Sequence, residues 1–162
     1  MIELRANVLG VTSLEPSVEL DDQLCFSLYS ASKAMTARYR PMLERMGITY
    51  PQYLVLMVLW EDDDLGVNEL GRRLDLDSGT MSPLLKRLEA AGLVTRTRNV
   101  ADERVVHIRL TDAGRALEQP ACVVSGVMAE AVQMDRAEID ALKAQLDALT
   151  ARLTGQHESR RR

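Results

Sequence analysis

The sequence predicts a mainly α fold with a small β element (α+β). Helical segments stand at both ends, and between them two short helices precede one β-hairpin. Three observations carry this expectation. Apolar residues recur at helical spacing from Val18 to Met46, and helical segments resume after Thr111. Two short segments, Val67 to Leu74 and Gly79 to Ala91, are separated only by a tight turn. Leu93 to Arg98 and Val105 to Leu110 are then strand-like, with apolar and polar residues alternating in the first, on either side of a polar loop.

Each element follows from its residues. Residues 1 to 17 show no sustained period and read as a loose arm. In the first helix Leu20, Leu24, Leu28, Ala31, Met35, Tyr39, Met42 and Leu43 form one stripe. Pro41 interrupts it and is expected to kink the helix or start a new one, and Gly47 to close it. Thr49 with Gln52 makes a capping box, Pro51 fits the first turn, and the helix through Trp60 is apolar nearly all round, hence buried. The acidic run Glu61 to Asp64 reads as a solvated turn. Four adjacent carboxylates cannot converge on one ion, whereas calcium loops alternate their ligands. Asp77 or Ser78 can cap the second short helix and Gly92 stops it. Thr111 caps a new helix at Asp112, and Asp135 with Glu138 opens a last one reaching about Leu153. Residues 155 to 162 form a polar tail.

Composition excludes several classes. The longest apolar run, Leu54 to Trp60, is far short of the ~20 residues that cross a bilayer. The first residues lack a basic start followed by an apolar core, which argues against a secretory signal and for a cytoplasmic protein. Two cysteines do not make a disulfide scaffold. No spacing suggests a zinc site, and neither a phosphate loop nor a nucleophile elbow is present, so no cofactor and no metal is expected. The eight Met residues read as core filler.

The net charge of −4 hides an asymmetry. Between Arg72 and Arg109 eight basic residues face five acidic ones, leaving a basic middle in an acidic body. With the order helix, helix, hairpin, this outlines a winged helix-turn-helix that reads double-stranded DNA. Ser78, Thr80, Ser82, Pro83, Lys86 and Arg87 lie toward the N-terminal half of the second helix, where small hydroxyls and cations can reach base edges or phosphates. Leu84, Leu85 and Leu88 anchor its other side. Arg104 falls in the hairpin loop as a candidate minor-groove contact, Asp102 can hold its guanidinium, and Arg96 and Arg98 flank the loop.

Leu70 to Gly114 resembles the DNA-binding core of the MarR family of bacterial regulators, and the likeness extends over roughly residues 20 to 153. The resemblance implies a homodimer on a pseudo-palindromic operator. Residues 18–154 would then be one MarR-like domain, with 48–111 as the winged helix-turn-helix lobe. Residues 18–47 and 112–154 would be the dimerisation helices. Asp102 and Arg104 match the family's wing motif. Leu24 to Glu61 is similar to one branch, the organic hydroperoxide resistance regulators, which are repressors that sense peroxide through a first-helix cysteine.

Cys25 by itself reads either as a small core residue or as a reactive thiol. The resemblance places it at the sensing position, with Tyr39 and Tyr50 on the tyrosines that hydrogen-bond the sulfur and Tyr29 on a nearby aromatic. Fourteen residues separate Cys25 from Tyr39, which is ~21 Å on a continuous helix and nearly four whole turns. They share a face but cannot touch within one subunit, whereas antiparallel first helices across a dyad could bring them together. Phenol donors aimed at the sulfur would favour the nucleophilic thiolate.

Cys122 departs from the branch's pattern, whose second cysteine belongs near Glu130, about two turns later. Either Cys122 resolves the oxidised Cys25 of the other chain, or a low-molecular-weight thiol does and Cys122 is packed. Two other readings stand beside the peroxide sensor. One is a MarR-type repressor released by a small phenolic or lipophilic ligand. The other is a thiol enzyme, which Asp21 and Asp22 do not favour, since they read as first-turn helix charges rather than a general base. His107 is expected to be exposed beside the wing, and His157 lies in the tail.

Overall fold

The computed structural model describes residues 17–98 and 106–155. It divides into two compact units, one ending at Ala37 and the other beginning at Arg38. The first described residues form a 3-10 turn, Leu20–Asp22, and enter helix α1, Leu24–Arg45. No residue of that helix up to Ala37 is buried. Pro41 does not start a new helix, because α1 runs through it. Its fixed φ suits the helical region, and the donor it lacks costs a single intrahelical bond, that to the carbonyl of Ala37. Gly47, at φ 70°, then ends the helix, with Ile48 N–H returning to Leu43 O at 3.0 Å.

The second unit holds the core. Helix α2, Tyr50–Glu61, begins where Thr49 N–H donates to Gln52 Oε1 at 2.8 Å, as the capping box predicts. Tyr53, Val55, Leu56 and Leu59 bury its apolar surface. Helices α3, Val67–Leu74, and α4, Ser78–Ala90, form the helix-turn-helix. The turn is tight enough that a Cβ on Gly71 would lie 2.8 Å from Leu76 O, whose own N–H donates to Gly71 O. Met81, Leu84, Leu85 and Leu88 pack α4 against Leu43, Leu56, Leu70 and Ile108 in one cluster.

A three-stranded antiparallel sheet follows, in the order β1-β3-β2. The hairpin strands β2, Val94–Arg98, and β3, Val106–Leu110, match the predicted wing. Strand β1, Leu65–Gly66, was not expected; it pairs Leu65 with Ile108 and Gly66 with His107. Thr111 caps α5, Asp112–Ala116, its hydroxyl accepting from Gly114 N–H at 3.1 Å. A break at Leu117 then separates α5 from α6, Glu118–Val132. Trp60, on α2, reaches this joint through its indole N–H, which donates to Gly114 O at 3.0 Å. The Asp135–Glu138 capping box opens α7, Arg136–Thr154, with both reciprocal bonds at 2.8 Å.

The acidic run is a solvent-accessible turn, as expected, but three of its carboxylates are paired. Asp62, Asp63 and Asp64 pair with Arg73, Arg115 and Arg109 in turn, because the fold delivers a guanidinium from a different element to each. His107, expected to be exposed, is half-buried against Asp64.

Candidate nucleic-acid interface and thiol site

Helix α4 is held at its N-terminus by Asp77. Its carboxylate accepts from Thr80 N–H and from the Thr80 hydroxyl, each at 2.9 Å, and the Thr80 amide foremost keeps the carboxyl below its usual range. This fixes the first turn, which carries Ser78 and Thr80 of the predicted reading residues. Ser78, Thr80, Pro83, Lys86 and Arg87 are exposed and Ser82 is half-buried, while the leucines face inward. The hydroxyl proton of Thr80 is engaged by Asp77, so its oxygen faces outward chiefly as an acceptor.

The basic residues fall into two groups. Arg72 and Arg73 both bind Glu69, whose pKa their hydrogen bonds lower to about 2, and Arg73 also binds Asp62. Those guanidiniums are occupied. Among the described residues Lys86, Arg87 and Arg98 make no ion pair, and Arg96 has only a long approach of 3.9 Å to Glu89. These four can meet phosphate without first breaking a close contact. Asp102 and Arg104 lie outside the described residues.

The predicted thiol residues fall in both units. In the first, Cys25 and Tyr29 are exposed on α1, and Lys33 Nζ stands 5.9 Å from the Tyr29 ring centre. Cys25 is thus no core residue of the single chain. In the second, Tyr39 and Tyr50 lie with ring centres 5.0 Å apart. Tyr53 joins them at 5.8 Å and 6.4 Å and is only 3% exposed. Sequence reasoning missed Tyr53, although its place three residues after Tyr50 on α2 puts both on one face. Burial first, then the neighbouring phenols, raise the pKa of Tyr39 and Tyr53, so both rings keep their protons and remain donors at neutral pH. Cys122 is exposed on α6 rather than packed, close enough to Tyr53 to raise its pKa as well.

Among the described residues no group of three or more His, Cys, Asp or Glu could hold a metal ion. No described helix is long and apolar enough to cross a membrane.

A helix-turn-helix followed by a hairpin packed on a third short strand defines a winged-helix DNA-binding protein. Residues 37–119 match the family of transcriptional regulators SarA/Rot. The chain is 47% identical over 152 residues to the HTH-type transcriptional regulator TtmR of Methylorubrum extorquens, a match covering 91% of this chain and 78% of that one. It is 44% identical over 132 residues to the organic hydroperoxide resistance transcriptional regulator of Bacillus subtilis, covering 82% and 90%. Among solved structures, reduced AbfR bound to DNA superposes with a TM-score of 0.74 at 39% identity, covering 86% of this chain and 95% of that one. AbfR is a protein of Staphylococcus epidermidis that is also known in a disulfide-formed state, similar to this chain with a TM-score of 0.59 at 40% identity over 84% and 90%. The chain belongs to the MarR-type winged-helix regulators, in the branch of the organic hydroperoxide resistance regulators. It is a DNA-binding transcriptional regulator, and its relatives indicate no catalytic family.

Proposed function

We propose that this regulator is a homodimeric repressor that releases its operator when an organic hydroperoxide oxidises Cys25. The observation that carries this reading is an exposed thiol on an exposed apolar helix face, in a chain whose relatives include a hydroperoxide resistance regulator. Leu24, Tyr29 and Met35 of α1 are uncovered, as are Val123, Val127, Leu142 and Leu146 of α6 and α7. Uncovered apolar residues on terminal helices are what a second copy would cover. In such a dimer the phenols of Tyr39 and Tyr50 would serve the partner's sulfur.

The chemistry balances with the groups named. The Cys25 thiolate attacks the outer oxygen of ROOH, the O–O bond breaks, and the alkoxide RO⁻ leaves and takes a proton from solvent to become ROH. The sulfur becomes a sulfenic acid. A second thiol then attacks it, expels water and leaves a disulfide. That thiol is Cys122 of the second copy or a low-molecular-weight thiol.

The test is a mobility-shift titration with and without cumene hydroperoxide, using a duplex selected from a random pool by the reduced protein. Cys25→Ser is expected to bind that duplex normally and to stay bound after oxidant. Release of DNA by the oxidised variant would overturn the reading. Non-reducing electrophoresis identifies the second thiol: a covalent dimer that disappears in Cys122→Ser assigns Cys122, and a monomer with added mass assigns a small thiol.

A further inference from the structure

The turn after α2 sends three consecutive carboxylates to three elements. Asp62 binds Arg73 of α3 at 2.6 Å. Asp63 accepts from Leu110 N–H at 2.9 Å and from Arg115 of α5 at 2.5 Å, and Arg115 also donates to Leu110 O at 3.1 Å. Asp64 accepts from Arg109 at 2.5 Å and lies 3.1 Å from His107 Nδ1. Its backbone is left-handed, φ 64°, which aims the carboxylate at β3 while the next two residues pair with that strand as β1. Strand β3, which brings the chain back from the hairpin loop, is therefore gripped at residues 107, 109 and 110 in addition to its ladder with β2.

We propose that Asp63 and Asp64 are positioning residues for the wing. They fix the angle at which the hairpin leaves the lobe, and so set DNA affinity without touching DNA. The inference rests on the reading of the hairpin as a DNA contact. Five residues per strand give an arm of about 17 Å, so a tilt of about 10° at the base moves the far ends of the strands, at Arg98 and Val106, by about 3 Å, enough to break a hydrogen bond. With only the two residues of β1 added to its own ladder, the hairpin has little stiffness of its own and takes its direction from what holds its base. Arg109 is 57% exposed, yet its guanidinium is tied to Asp64 and serves as a strut. Ion pairs this exposed contribute little to folding, so geometry and stability can be separated by experiment.

The experiment uses the full chain, reduced, on the selected duplex at fixed salt. Asp63→Asn with Asp64→Asn keeps side-chain size and the tolerance for a left-handed backbone. It also removes two negative charges, which alone would strengthen DNA binding. The expected result is a fall in affinity of about tenfold with midpoint temperature nearly unchanged. Hydroxyl-radical protection of the minor groove is lost, while guanine N7 protection in the major groove persists at saturating protein. Arg109→Gln opens the same grip from its exposed side and is expected to lose the same protection, which keeps the test readable should the double variant fold poorly. Arg104→Ala is the control for the wing itself. Unchanged minor-groove protection in Arg104→Ala would remove the wing reading and this inference with it. Loss in Arg104→Ala without loss in the other two would overturn this inference alone. Equal loss of both protections together with a lowered midpoint temperature would also overturn it, by assigning the turn to folding.

Discussion

Gly114 has no room for a methyl group. A Cβ there would stand 2.1 Å from Leu93 O, a carbonyl held in place by Thr111 N–H. Gly114→Ala is expected to destabilise the chain by about 1–3 kcal/mol in urea titration, since backbone rather than a side-chain tip must move. Acid should act on a different set of residues. Burial alone would raise the Asp63 pKa, but Leu110 N–H, Arg115 and Asp64 N–H outweigh it, and Arg109 foremost lowers that of Asp64. Both carboxyls lie below the usual 3.8, so their contribution is complete above that pH and fades as pH falls through the lower folded values. These two carboxyls should therefore add only a small fall in the urea midpoint between about pH 5 and about pH 2, since the pairs are exposed, and that small part should be missing in Asp63→Asn with Asp64→Asn. The same residues mark what the sequence conceals. Asp77 with Thr80 and Asp135 with Glu138 were legible as caps because each partner is three positions away. The partners of Asp62, Asp63 and Asp64 lie 11, 52 and 45 positions away, where no local pattern connects them.

At the level of elements, α4 separates its two tasks by face. Leu85 is fully buried, and Leu85→Ala should cost about 2–5 kcal/mol of stability. Its neighbour Lys86 is exposed and makes no ion pair, so Lys86→Ala should leave stability within about 0.5 kcal/mol. That variant should instead flatten the logarithmic salt dependence of DNA affinity by about one unit, measured by titration at several salt concentrations. The helices of this lobe could be read in sequence because apolar spacing and caps are local signals. Strand β1 could not, since two residues show no alternation and exist as a strand only because β3 offers an edge. Of the two outcomes expected at Pro41, a kink or a new helix, the new helix does not occur. The proline's penalty is one missing bond, and a helix of 22 residues absorbs it. The tyrosine cluster was legible in two of its three members. Tyr53 was concealed inside an apolar run that reads simply as core.

For the molecule as a whole, the excess of acid over base masks a basic middle region, and the ion pairs sharpen that contrast. Arg72, Arg73, Arg109 and Arg115 are committed to carboxylates, which leaves Lys86, Arg87 and Arg98, with the loosely held Arg96, as open cations of the lobe among the described residues. DNA binding should therefore have a salt dependence set by a few residues per protomer rather than by net charge. A different consequence follows from the place of Trp60, the single tryptophan of the chain. Its ring stands 6.1 Å from Tyr53, and its N–H holds the carbonyl of Gly114. Ultraviolet light absorbed by the tyrosines will pass to this one fluorophore, whose colour depends on that hydrogen bond. Any motion between α2 and α5 is thereby written into its emission, and stopped-flow mixing with hydroperoxide can record it in unlabelled protein.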